Sequence, residues 1–114
     1  MEDTVIKPWG LYTVLKTTDL CQVKEIIINP GHRPSLQSHQ HRKEDWIIIT
    51  GEGLVTIEDN NTNVLAGSHI FVDFQEKHRI KNTGADPLVF IEVQTGTSFE
   101  EGDIVRYEDD YDRN

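Results

Sequence analysis

The chain has 114 residues, a modest apolar fraction, an ordinary charged fraction and a formal net charge of -9. That length encloses one core without room for a second domain, and no apolar run approaches the roughly 20 residues needed to cross a bilayer. The acidic balance argues against a nucleic-acid surface, which needs a continuous Lys and Arg footprint. Cys21 is the only cysteine, so no internal disulfide can form, and a metal site must draw on His, carboxylate and amide groups. The N-terminal MEDTVIKPWG is acidic and lacks the basic region, apolar region and cleavage site of a signal peptide. The expectation is a soluble, cytoplasmic protein, one domain over residues 1–114, with 100–114 an acidic C-terminal segment.

From the N-terminus onward, short β-branched runs succeed one another: LYTVL, CQVKEIIINP, WIIIT, GLVTIED, HIFVDF, HRIKN and PLVFIEVQT. Turn signals separate them, including NPG at 29–31, TGEG at 50–53, EDNNTN at 58–63 and NTGADP at 82–87. No amphipathic helix interrupts the series. This spacing predicts an all-β fold of antiparallel strands in a sandwich or small barrel. In the last run, strand alternation puts Phe90, Glu92 and Gln94 on one face and Val89, Ile91 and Val93 on the other. A strand lining a barrel with a wet end would read that way, and so would an edge strand facing solvent.

Chemistry concentrates in SLQSHQHRKEDW, residues 35–46. On a strand, Gln37, His39 and His41 share a side, and the two imidazoles are close enough to share one ion. Glu44 has the wrong parity for one unbroken strand, but Arg42 and Lys43 could form a corner that returns it to the inner face. Two imidazoles and a carboxylate suit a single divalent ion such as Zn, Mn, Fe, Co or Ni. A polar strand face exposed to water is the plain alternative. It loses ground because His78, in GSHIFVDFQEKHRIKN at 67–82, follows a predicted strand and turn and could return a fourth ligand to the same cavity.

The two stretches resemble the paired motifs of the cupin superfamily: Gly31, His39, His41, Glu44 and Gly51 in the first, Gly67, His78 and Asn82 in the second. The resemblance implies a cupin-type double-stranded β-helix, a small jelly-roll barrel, with one divalent metal ion on His39, His41, Glu44 and His78. The His41-to-Glu44 gap is one or two residues shorter than the general cupin pattern. Asp73 and Gln75 stand where cupins carry Pro and Gly before the second-motif His, which predicts a reshaped or lengthened turn.

A closer resemblance covers nearly the whole chain. KPWG at 7–10, PGHRPSLQSHQHRKEDW at 30–46, IEVQTG at 91–96 and DIVRYEDDYDR at 103–113 are similar to the C-terminal isomerase domain of type II mannose-6-phosphate isomerases. The short His-to-Glu spacing belongs to that family's SLQxHxHRxExW pattern. The guanylyltransferase portion to which this domain is often fused is not in these residues, so nucleotide transfer is not expected of them. The resemblance also implies that the acidic end, which composition alone would leave solvated, is ordered near the site through Arg106, Asp110, Tyr111 and Arg113. Asp112 replaces a family Gly there.

What the resemblance implies is interconversion of mannose 6-phosphate and fructose 6-phosphate, a proton moving between C1 and C2 through an enediol. Glu44 and Glu92 are the candidate bases, and Gln37 and Gln94 are candidates to orient sugar hydroxyls. A phosphate needs cationic donors: Arg33 and Arg42 come first, then Lys7 and Arg106, with Lys7 read as a surface charge. The expected partners are a small sugar phosphate and a second copy of the chain, with no nucleic acid and no membrane. Alternatives are a non-catalytic cupin that binds a sugar or sugar phosphate, and another metal cupin such as a dioxygenase. His32 and His69 read as turn or surface histidines, Trp9 and Trp46 as core anchors, and Cys21 as a small buried residue.

Overall fold

The computed structural model describes residues 3–111. Among them the strands are β1 (Asp3–Lys7), β2 (Gly10–Thr17), β3 (Cys21–Ile28), β4 (Leu36–His39), β5 (Arg42–Thr50), β6 (Glu52–Ile57), β7 (Asn60–Leu65), β8 (His69–Val72), β9 (His78–Asn82), β10 (Leu88–Gly96) and β11 (Ile104–Glu108). A single 3-10 turn, Glu101–Asp103, precedes β11. Two sheets form, ordered β1-β2-β3-β10-β5-β8 and β11-β4-β9-β6-β7. Each pairing is antiparallel, and from β3 onward consecutive strands alternate between the sheets except at the β6–β7 hairpin, which stays within one sheet; this makes the all-β, cupin-type double-stranded β-helix expected from the sequence.

Each predicted run lies on a strand. The strands without a signal are short or polar. β7 is the edge of its sheet, with Val64 the residue it buries, so it lacks the apolar alternation that marks a half-buried strand. Its hairpin with β6 closes through Glu58 and Asp59, Glu58 adopting φ +52°. Gly51, between β5 and β6, has φ +95°, and a Cβ there would stand 2.9 Å from the Pro87 carbonyl oxygen, so the first motif's closing glycine is a steric requirement.

The interior changes character along its length. On β5 the inward side chains are Arg42, Glu44, Trp46 and Ile48, and on β10 they are Gln94, Glu92, Phe90 and Leu88. The register sets Gln94 beside Glu44, Glu92 beside Trp46 and Phe90 beside Ile48. One end is an apolar core of Ile28, Ile48, Val55, Val72, Ile80 and Leu88, where burying each such side chain contributes about 1.5–3 kcal/mol. The other end is polar and equally buried. Phe90, Glu92 and Gln94 therefore line the barrel and do not face solvent from an edge. Trp9 and Trp46 are core anchors as expected, whereas Cys21 is only half-buried, beside the Thr18 hydroxyl.

Asn82, the polar residue closing the second motif, is fully buried. Its amide donates to the Ile28 and Asp86 carbonyls and its oxygen accepts from the Gly84 N–H, which fixes the β9–β10 connection against β3.

Candidate metal centre and its cavity

β4 ends at His39, and Gln40 and His41 form a bend before β5 begins at Arg42. The bend breaks the alternation. Gln37 and His39 keep the inward face, His41 is turned outward with its side chain 60% exposed, and Arg42 re-enters the interior. The outward ring is captured by Asp103, whose carboxylate accepts from His41 Nδ1 at 2.8 Å and from the Gln40 and His41 backbone N–H groups at 3.2 and 3.0 Å. Burial alone would raise the Asp103 carboxyl, but these donors outweigh it and hold the group below its usual value. His41 is therefore corrected from metal ligand to anchor. Measured from His39, four residues precede Glu44, so the spacing that looked short from His41 returns to the general pattern, with Gln37 at its first position.

His39, Glu44 and His78 converge, their ligand atoms all within 4.8 Å of one another and all three side chains buried. Glu44 Oε2 lies 3.2 Å from His39 Nε2, and Glu44 Oε1 lies 3.8 Å from His78 Nε2. His78 Nδ1–H donates to the Glu76 carbonyl at 2.9 Å, so its Nε2 carries the free lone pair toward Glu44. Desolvation, reinforced by the Arg42 charge, lowers His39 to about 3, and desolvation lowers His78 as well. Both imidazoles are thus held in the neutral, ligating form. Gln37 is the cross-strand partner of His78 and offers an amide on the same wall. Two neutral imidazoles, a carboxylate and an adjacent amide fit one divalent ion.

The turn before His78 passes through the left-handed region that favours glycine. Gln75 adopts φ +63°, its N–H donating to the His39 carbonyl at 2.8 Å. Asp73 and Glu76 close the turn: Asp73 accepts from the Phe74 N–H, and Glu76 accepts from the Asp73 N–H. Local hydrogen bonds thus hold a left-handed residue that carries a side chain.

Beside the cluster stands a second carboxyl. The Trp46 indole N–H is shared between Glu44 Oε1 at 3.0 Å and Glu92 Oε1 at 3.2 Å, and the Gln94 amide donates to Glu92 Oε2 at 2.9 Å. Burial first, and then the neighbouring Glu44 charge, push Glu92 well above the usual carboxylate range. These groups line a single open-mouthed cavity of about 90 Å³.

The cationic candidates divide. Arg42 lies inside but is engaged: its Nε is 3.4 Å from Glu44 Oε2, and its terminal nitrogens contact the Glu100 carbonyl and His39 Nε2. Arg33 is corrected to a surface position, its guanidinium paired with Asp110 at 2.8 Å, which raises the arginine and lowers the aspartate. Arg106 lines the cavity from β11, next to Gln37 on β4, with its buried Nε unpartnered among the described residues. Asp110 and Tyr111 do not line the cavity: Asp110 pairs with Arg33 and Tyr111 bonds His32 at 2.7 Å, while Asp112 and Arg113 lie outside the described residues. His69 pairs with Asp45 on the surface.

Sequence reasoning missed Lys24, Arg79 and Asp103. Lys24 was legible, since it shares inward parity with Ile26 and Ile28 inside CQVKEIIINP; it lines the cavity with its ammonium 4.3 Å from the centroid of the Tyr12 ring. Arg79, also lining it, is held by Glu108 and the Pro34 carbonyl. Among the described residues no helix is long and apolar enough to cross a membrane.

Residues 1–109 match the model of the family described as mannose-6-phosphate isomerase C-terminal. The chain is 41% identical over 109 residues to the xanthan biosynthesis protein XanB of Xanthomonas campestris pv. campestris, covering 96% of this chain and 23% of that protein. It is 38% identical over 109 residues to a mannose-1-phosphate guanylyltransferase of Escherichia coli K12, again covering 96% and 23%. It therefore spans about a quarter of the length of these curated relatives. In fold it is similar to an uncharacterized Klebsiella pneumoniae protein with a double-stranded β-helix domain, with TM-score 0.75 and 22% identity over 84% of this chain and 82% of that one.

Proposed function

The chain belongs to the mannose-6-phosphate isomerase C-terminal family, and from that premise we propose that it is a metal-dependent isomerase interconverting mannose 6-phosphate and fructose 6-phosphate. The observation that carries the reading is a buried His39–Glu44–His78 cluster facing a second, protonatable carboxyl, Glu92, within one small-molecule cavity. His39, Glu44 and His78 would hold the ion, with Gln37 completing the set. A divalent ion there supplies Lewis acidity, polarising the sugar oxygens and stabilising charge that develops on them.

The protein's own groups do the rest. An aldose–ketose exchange needs one group that takes a proton from C2 and returns it at C1, and its proton affinity should lie near the working pH. Glu92 suits that role because desolvation and Glu44 lift it out of the ordinary carboxylate range. Trp46 and Gln94 hold its two oxygens from opposite sides, which fixes the direction from which it meets the sugar. Glu44, with both oxygens facing the imidazoles, is better suited to ligation than to proton transfer. Arg106, whose Nε has no partner among the described residues, lines the same cavity and is placed to donate to sugar oxygens. In this reading the product feeds polysaccharide precursor synthesis, the process that XanB is named for.

The test is to load the chain in turn with Mn, Zn, Co, Fe and Ni and to follow ketose formation from mannose 6-phosphate by NMR. Turnover is expected with at least one ion. Metal bound by elemental analysis with no ketose for any of the five overturns the reading. His39→Ala and His78→Ala should each lose the ion, and His41→Ala should retain it. Glu92→Gln should keep the metal and lower kcat by about 10²–10⁴-fold, the usual contribution of a positioned acid–base group.

A further inference from the structure

The cluster occupies one end of the cavity, and the other end carries an unclaimed positive charge. Lys24 on β3 is buried and turned toward the Tyr12 ring on β2, 4.3 Å from its centroid; Lys7, at the end of β1, stands 5.9 Å from the same centroid. Both line the cavity. Glu92 is the cross-strand partner of Lys24, yet among the described residues neither lysine forms an ion pair. The Lys24 stem is buried while its ammonium, with no ion-pair partner among the described residues, meets the cavity and the aromatic face. Bringing a second ammonium to the same ring adds like-charge repulsion. An anion held between ring and cavity supplies the counter-charge that both lysines lack.

Three other cations have acceptors of their own. Arg42 serves Glu44, Arg79 serves Glu108, and Arg33 serves Asp110 outside the cavity. Arg106 stands beside Gln37, at the cluster end. Lys24 lies across β10 from the Glu44 strand, two strand spacings or roughly 10 Å away.

We propose that Lys24, flanked by Lys7 and backed by Tyr12, is the phosphate-binding residue of the cavity and selects phosphorylated over free sugar. The identity of the sugar rests on the isomerase reading, whereas the anion site rests on the lysine geometry. The ammonium donates to the phosphate oxygens as a compact charge, holding the substrate with its carbonyl end at the cluster and its anionic end under β2.

The experiment is calorimetric titration of the metal-loaded chain with mannose 6-phosphate, mannose and inorganic phosphate, for wild type, Lys24→Gln, Lys24→Arg and Lys7→Gln, with isomerase kinetics alongside. Removing one charged hydrogen bond should weaken mannose 6-phosphate binding about ten- to hundredfold in Lys24→Gln and less in Lys7→Gln. Lys24→Arg should recover most of the loss, and mannose binding and metal content should not change. In kinetics the loss should fall on KM rather than kcat. Wild type that binds neither mannose 6-phosphate nor inorganic phosphate overturns the proposal, as does a Lys24→Gln effect equal for mannose and its phosphate. Turnover with KM unaffected by Lys24→Gln also overturns it and leaves the isomerase reading standing. Lys24-dependent phosphate binding without turnover supports it and removes the isomerase reading. Should Lys24→Gln fail to fold, Lys24→Met, which keeps the apolar stem, gives the same comparison.

Discussion

Gln75 shows how a residue can be wrong for its backbone and still leave a motif working. At φ +63° its Cβ is crowded in a way that glycine is not, yet the N–H bond to the His39 carbonyl and the Asp73–Glu76 pair keep the turn closed. The left-handed conformation costs about 1–2 kcal/mol for a residue with a side chain, and glycine returns part of that gain through its more flexible unfolded state. Gln75→Gly should therefore raise stability by about 0.5–1 kcal/mol, and Gln75→Val should lower it. Thermal melts of the two variants moving in the same direction would contradict the strain. At this scale the sequence showed which residue types gather but not which way each one points. His39 could be picked out by parity, Glu44 by allowing a corner at Arg42 and Lys43, and His78 by its place after a strand and turn. His41 could not, because the bend at Gln40 and its capture by a carboxylate some sixty positions away in the chain depend on tertiary packing.

The element that changes most between sequence and structure is β11. It lies in the acidic segment 100–114, whose overall composition reads as solvated, and only the family resemblance pointed to order. The strand forms because β4 offers it an open edge, with Ile104 beside His39 and Arg106 beside Gln37, and because Asp103 binds the bend just before it. The Tyr107 hydroxyl adds a bond to Ser38. Asp103→Ala removes three acceptor contacts, two of them to backbone N–H groups, at a cost of about 2–3 kcal/mol. Hydrogen exchange should then accelerate in β11 and at Gln40 and His41, while the β3-β10-β5 ladder keeps its protection. Uniform loss across both sheets, or none in β11, would show that Asp103 is not the latch.

For the molecule as a whole, the buried site sets how stability depends on pH. His39 is lowered from 6.5 to about 3 in the fold, so between those values the unfolded chain binds a proton that the folded chain refuses. Stability from this group is present above about 6.5 and is lost as pH falls; His78 acts in the same sense. Glu92 acts oppositely. Raised from 4.5, it binds its proton more tightly in the fold, so its contribution is complete at low pH and is lost as pH rises through the folded value. In metal-free protein, urea midpoints from pH 7 to 4.5 should fall more steeply in Glu92→Gln than in wild type, and less steeply in His39→Gln. Parallel curves for wild type and His39→Gln would mean that the imidazole is not held neutral. The barrel, its sheets and its inward-facing rows were legible in the alternation of β5 and β10, because period-two patterning is local. The charge balance of the interior was not, since it depends on which groups the two sheets bring face to face.

Trp46 sits where all of these quantities meet. Its indole N–H is divided between Glu44 and Glu92, and its ring stands 5.8 Å from that of His78 in an edge-on arrangement. An indole whose hydrogen-bond acceptors change charge, and whose neighbouring imidazole can be drawn toward a cation, is a chromophore wired to the cavity. Once Trp9, the second tryptophan on the cavity wall, is replaced by Phe, the emission of Trp46 becomes a label-free optical signal. It then reports the arrival of a metal or the loss of a proton in the same cuvette in which turnover is measured.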